Sequence, residues 1–154
     1  MARILTAVAP DTEARVRRIL KGHELRVVSH IPDATQALED EAIELIFVGA
    51  RFDESRMFDL LGYVQAHAKH RKIPIVAAII VPTRMTEETV RGLAHATKVF
   101  GASVFINLND FDDEETQNAR LRIIVDALIA PAERIPDVMV KLAAPPQEGR
   151  LTGR

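Results

Sequence analysis

Five short apolar stretches punctuate the chain, at residues 4–8, 25–28, 45–48, 75–81 and 104–106, and each is rich in β-branched side chains. None places a polar residue at every second position. Near-continuous apolarity of this kind is what a parallel strand covered on both faces requires, so the pattern predicts a central sheet. The intervening segments carry a helical period. After Asp11, the residues Ala14, Val16, Ile19 and Leu20 can bury while Arg15, Arg17 and Arg18 stay wet, with Gly22 as a stop. Pro32 and Asp33 begin a second helix carrying Ala34, Ala37 and Leu38; Ser55 or Arg56 begins a third, through Phe58, Leu60, Leu61 and Val64. A fourth spans residues 86–99, with Thr86 three places before Thr89 and with Glu87 and Glu88 in the first turn, where the helix dipole favours acids. The last opens at Asp112 or Asp113, reaches Ala130, and buries Leu121, Ile124, Val125 and Leu128.

Strand and helix thus alternate five times, with connections short enough to demand right-handed crossovers. The expected product is an α/β domain over residues 1–130: a three-layer, doubly wound, five-stranded parallel sheet of flavodoxin-like form with helices on both faces. From Pro131 the pattern changes. Pro131, Pro136, Pro145, Pro146, Gly149 and Gly153 mark residues 131–154 as a tail, whose apolar patch at 138–142 reads as a chain end packed loosely on its own domain or as a short docking element.

Three phrases narrow this class. Glu44-Leu45-Ile46-Phe47-Val48-Gly49, Pro74-Ile75-Val76-Ala77-Ala78-Ile79 and Gly101-Ala102-Ser103-Val104-Phe105-Ile106-Asn107-Leu108 resemble the third, fourth and fifth strand regions of the response-regulator receiver domain of two-component signalling. The resemblance covers about residues 3–129. It implies a phosphoacceptor aspartate where Gly49 stands, a magnesium-holding acidic pair at Val8 and Ala9, a hydroxyl near Ile79 and a lysine near Leu108. Transfer of a phosphoryl group to a carboxylate needs that carboxylate, a hard oxygen-ligated cation, and a lysine or hydroxyl to gather the phosphate oxygens. The neighbours Val48, Ala50, Thr6, Ala7 and Pro10 supply no carboxylate either, and Asp11, the nearest acid after the first strand, reads as a helix cap.

The expectation is therefore a degenerate receiver, a pseudo-receiver, that is not an enzyme, carries no cofactor and works by protein contact without aspartyl phosphorylation. The resemblance implies a contact surface on the fourth helix, fifth strand and fifth helix, including Val90, Leu93, Val104, Phe105, Leu121 and Ile124. A signalling protein or a second copy of the chain would engage it. The alternative is a small-molecule binder or enzyme on the same scaffold, with its site at Pro10, Gly49, Ala50, Thr83 and Asn107.

Composition limits the remaining chemistry. At 154 residues and 47% hydrophobic content the chain suits one buried core, and a net charge of -2 offers no basic field for nucleic acid or an anionic membrane. The absence of cysteine excludes disulfides, thiolate nucleophiles and the common structural zinc sites. The first residues lack the apolar core of a secretory signal and no apolar run reaches the ~18 residues of a membrane span, so a cytoplasmic location is expected. Asp53, Glu54 and Asp59 read as acids favoured by the dipole of the helix that follows, and Asp110, Asp112, Asp113, Glu114 and Glu115 as a solvated helix entrance. His67 and His70, three apart beside Lys69, Arg71 and Lys72, read as a solvated basic helix end rather than a metal pair; His23, His30 and His95 stand alone. Arg15, Arg17, Arg18 and Lys21 form a wet helix face that could meet an acidic partner. No Gly-x-Gly-x-x-Gly, Walker or Gly-x-Ser-x-Gly phrase occurs.

Overall fold

The computed structural model describes residues 2–82, 84–111 and 113–129. The expectations for Thr83, for Asp112 as a cap, and for Ala130 and the 131–154 tail lie outside the described residues. Five strands, β1 (Arg3–Ala7), β2 (Glu24–Val28), β3 (Leu45–Gly49), β4 (Ile75–Ile79) and β5 (Val104–Asn107), form one parallel sheet in the order β2-β1-β3-β4-β5. Five helices join them: α1 (Glu13–Ile19), α2 (Ile31–Asp40), α3 (Met57–Ala66), α4 (Glu87–Val99) and α5 (Glu114–Ile129). The strand order reverses at β1, so β1 and β3 leave a crevice at their carboxyl ends, where doubly wound sheets place their sites.

The central strands β3 and β4 are buried at every residue, as their unbroken apolarity requires. β2 behaves differently because it is an edge. Leu25 and Val27 pack half-buried against the core while Glu24 and Arg26 stay exposed and pair with Arg3 and Glu41. Charges of this kind blunt an open sheet edge. On one face of the sheet α1 and α5 close a core with Ile4, Phe47, Val76 and Ile106; on the other, α2 and α3 close a second with Leu5, Ile46, Val48 and Ala77, against which Leu93 and Phe105 pack.

Helix α1 corrects the expected burial. Pro10–Thr12 form a 3-10 turn before it, and the buried stripe is Thr12, Val16, Ile19 and Leu20, which leaves Ala14 exposed and turns Arg15 inward. Leu128 is half-buried rather than buried. Gly22, at φ +102°, supplies the left-handed stop after α1, and Thr86 accepts the Thr89 amide as the predicted cap of α4. Asp113 caps α5 by accepting from the Thr116 amide at 2.8 Å, which holds its carboxyl below the usual range.

After β3 the chain makes a turn, Phe52–Ser55, in which Asp53 (φ 47°), Glu54 (φ 56°) and Ser55 (φ 68°) are all left-handed. Such residues cost roughly 1–2 kcal/mol each. The turn persists because Phe52 is fully buried and because Asp53 is tied to another element. Glu54 is exposed and glycine adopts its geometry freely. Glu54→Gly is therefore expected to raise the free energy of unfolding by about 1 kcal/mol, read as a higher urea midpoint with an unchanged slope.

Candidate functional site

Gly49, the last residue of β3, sits at the crevice with no side chain. A Cβ placed there would lie 3.3 Å from Ile80 Cδ1 and in ordinary contact, 3.7 Å, with Val8 Cγ1, so the surroundings an acid would meet are apolar. Ala9, Gly49, Ala50, Ile79, Ile80, Val81, Pro82 and Met85 line a cavity of about 70 Å³ together with Thr12 and Arg51. The sequence placed Val8, Ala9, Ile79 and Leu108 around Gly49. The structure brings Ala9 and Ile79 to the cavity wall and Val8 against Gly49, and sinks Leu108 into the core between the sheet and α5.

The two polar groups on the wall are engaged. The Thr12 hydroxyl donates to the Ala9 carbonyl, and Arg51 pairs with Asp11 at 3.0 Å across the mouth. Asp11 is thus an ion-pair partner and caps no helix, a correction whose cause is the 3-10 turn that places it beside Arg51. Of the alternative set, Gly49 and Ala50 line the cavity and Pro10 is exposed. Asn107 is turned away to accept from the backbone and side-chain amides of Asn109. Polar groups do not converge on the cavity.

Polar side chains instead hold the backbone just beyond the ends of β4 and β5. Arg15 Nη1 donates to the Ile80 carbonyl at 3.0 Å while Nη2 donates to Gln117 Oε1 at 2.7 Å and to Asn118 Oδ1 at 3.1 Å. Asn109 Nδ2 donates to the Val81 carbonyl at 2.8 Å, and Gln117 Nε2 to the Phe111 carbonyl. Arg15 was expected to be wet, yet its side chain is only 19% exposed. On the rest of the basic face Arg17 pairs with Glu13 and Arg18 with Glu114.

Several of the remaining candidates have structural partners, while the Asp110 carboxyl is raised by burial and by the nearby charge of Glu87. Asp53 accepts from the Ile31 amide at 2.9 Å and contacts His30, so it caps α2 rather than serving the dipole of α3, and its carboxyl is lowered chiefly by that amide. Asp59 pairs with Arg56. His23 takes the Ala2 amide and Asp126. His70 is 4% exposed, not solvated, and reaches Glu39, while His67 stacks on Tyr63 and bonds its carbonyl. Glu39 also accepts from Lys69 and Tyr63, and these donors, Lys69 first, hold its carboxyl down to about 2 from an ordinary 4.5. A carboxylate depressed in the folded state contributes stability above its unfolded value that is lost as pH falls through the folded one. Glu39→Gln is thus expected to unfold at lower urea near neutrality, with the gap to wild type closing between pH about 4.5 and about 2. Among the described residues no three His, Asp or Glu side chains are placed to hold a metal ion.

No protein-family model and no curated protein matches the sequence. Solved structures do. The signal receiver domain of a signal transduction histidine kinase from Syntrophus aciditrophicus superposes with a TM-score of 0.65 at 20% identity, covering 88% of this chain and 95% of that one. This chain has the receiver fold. A second receiver domain, of the sensor histidine kinase PA1611 from Pseudomonas aeruginosa PAO1 with magnesium coordinated in its active site cleft, gives 0.64 at 18% identity over 83% of this chain and 97% of that one. NtrX from Brucella abortus gives 0.63 at 25% identity over 83% of this chain, which spans 27% of that longer protein. Strand order and parallel register agree with this fold, and no described helix is long and apolar enough to cross a membrane.

Burial divides the residues of the surface that the receiver resemblance implied. Val104, Leu121 and Ile124 are core residues, because alternate residues of β5 and the inward stripe of α5 close the α1–α5 face of the sheet. Val90, Leu93 and Phe105 are half-buried. Among the described residues the large apolar side chains that stand out are Met85 (37% exposed), Val99 (66%), Phe100 (40%) and Ile123 (48%). Three border or end α4. The fourth lies on α5 away from the flank on which Asn118, Arg122 and Asp126 meet α1 and its following turn.

Proposed function

We propose that this chain is a degenerate receiver, a protein-interaction module in signal transduction that works without aspartyl phosphorylation and without enzymatic activity of its own. The observation that carries the reading is the state of the crevice. Gly49 is bordered by the apolar side chains of Val8 and Ile80, and the Thr12 hydroxyl and Arg51 are already paired. The Pseudomonas domain has a magnesium ion coordinated in its active site cleft; the strand ends here offer Val8, Ala9 and Gly49.

The exposed apolar side chains on and beside α4 and on α5 favour a contact surface there, with Ile123 added to Val90, Leu93 and Phe105. A signalling protein, or a second copy of the chain, would cover it, in a cytoplasmic setting. A small-molecule site at the strand ends is the weaker reading, since the 70 Å³ there is well below the roughly 300 Å³ at which ligand pockets begin.

Two linked measurements test the proposal. Intact mass after treatment with acetyl phosphate and magnesium is expected to show no labile phosphoryl group, and such an adduct would refute the reading. Affinity capture from native lysate, beside sedimentation of the purified chain, is expected to recover a signalling protein or a dimer that Ile123→Glu loses. Equal recovery by wild type and variant would remove this surface.

A further inference from the structure

Helix α4 is held less firmly by packing than its neighbours. Over 13 residues it has one buried side chain, Thr97, whose hydroxyl is turned back to the Ala94 carbonyl, and its other inward residues, Val90, Leu93, Ala94 and Ala96, are only half-buried. Helix α3, shorter at 10 residues, buries Met57, Leu60, Leu61 and Val64. Few buried apolar contacts mean a low local free energy of opening, so the placement of α4 depends on how its ends are fixed.

Two donors hold the start of the connector that leads into it. The chain leaves β4 at Ile79 and enters α4 at Glu87. At the root of that connector, the consecutive carbonyls of Ile80 and Val81 are taken by side chains from different elements, Arg15 from α1 and Asn109 from the turn after β5. Both donors are themselves oriented. Gln117 and Asn118 hold the Arg15 guanidinium, and Asn107 Oδ1 accepts from both the amide and the side chain of Asn109. Donors locked by second partners bind at little cost in side-chain order, and a planar guanidinium serves three acceptors at once where an ammonium would not.

We infer that Arg15 and Asn109 form a permanent clasp on the connector between β4 and α4, holding the α4 surface in one placement with no phosphoryl group or other ligand needed to set it. The clasp stands on geometry alone; its value for partner binding rests on the proposed function.

Hydrogen exchange of the full chain separates these levels. Arg15→Met is expected to speed exchange across residues 84–99 by about tenfold, and Asn109→Ala by a smaller factor, because a bond to a charged donor contributes more than a neutral one. Amides of β1 and β3 should keep their protection, and Arg17→Ala, which breaks only an exposed pair with Glu13, should match wild type. Arg15→Lys, with the charge but not the fork, should fall between wild type and Arg15→Met. Unchanged exchange at 84–99 in both Arg15→Met and Asn109→Ala overturns the clasp, as does acceleration shared equally by β1 and β3. Asn109→Ala removes an exposed side chain, so the test survives if Arg15→Met fails to fold. Faster α4 exchange with partner capture intact would keep the clasp and remove α4 from the contact surface; capture lost with exchange unchanged would keep the surface and remove the clasp.

Discussion

Gly49→Asp is expected to destabilise the protein by about 2–4 kcal/mol and to gain no labile phosphoryl group from acetyl phosphate and magnesium. The new Cβ would stand 3.3 Å from Ile80 Cδ1, so the Ile80 methyl must give by a few tenths of an ångström. The carboxylate itself would then lie among apolar side chains, with the cation on the cavity wall, Arg51, already paired to Asp11. Desolvation raises its folded-state pKa, so the penalty is small where the carboxyl is protonated in both states. It grows as pH rises above the unfolded value near 4 and levels off above the raised folded value. Urea unfolding at pH about 4 and about 7 measures that difference. Full stability at neutral pH together with a phosphoryl adduct would mean that the crevice is built for the chemistry after all.

The second large effect is a contrast between neighbours on α5. Leu121→Glu is expected to cost more than about 4 kcal/mol, since it puts a charge into a fully buried site, whereas Ile123→Glu should change stability by no more than about 0.5 kcal/mol. Leu121 is closed off between the sheet and α5, and Ile123 is 48% exposed. Thermal or urea unfolding reads the first variant; the second should keep the wild-type midpoint and lose the partner. Val104→Glu belongs with Leu121→Glu because Val104 faces the same core. A folded Leu121→Glu variant of wild-type stability would place α5 differently from the structure described.

What the sequence made legible was whatever repeats within one element. The unbroken apolarity of β3 and β4, the stripe of Val16, Ile19 and Leu20, and the Thr86 cap each depend on residues within a few places of one another. Together with the order of elements they suffice for the doubly wound sheet. The site was legible in its chemistry, since Gly49, Val8 and Ala9 lack the needed groups whatever their exact placement.

Its geometry was not. Arg15 reaches a carbonyl 65 residues away, and nothing in the local period separates its flank from those of Arg17 and Arg18 until β4 is in place. Asp53 was claimed by the nearest helix to follow it, while the α2 amide it serves lies 22 residues earlier. His70 looked like part of a charged helix end; only the return of the chain over α2 buries it against Glu39. The run Ile123-Ile124-Val125 offers three apolar residues for a stripe that takes two, and one residue of helix, about 100°, separates core from surface. Phe52 and Phe111 stand beside turns, outside any periodic segment, and tertiary burial alone reveals them as core.

The most direct test of the central claim is an amide proton–nitrogen spectrum of the protein before and after addition of magnesium and acetyl phosphate. Gly49, Ala50, Ile80, Val81 and Leu108, at the strand ends, are expected to keep their resonances, as is α4, because Gly49, Val8 and Ala9 carry no carboxylate and Thr12, Asp11 and Arg51 are already paired. Saturable shifts at those residues that spread into α4 would contradict it, and would restore the chain to the regulators whose surface is set by a phosphoryl group.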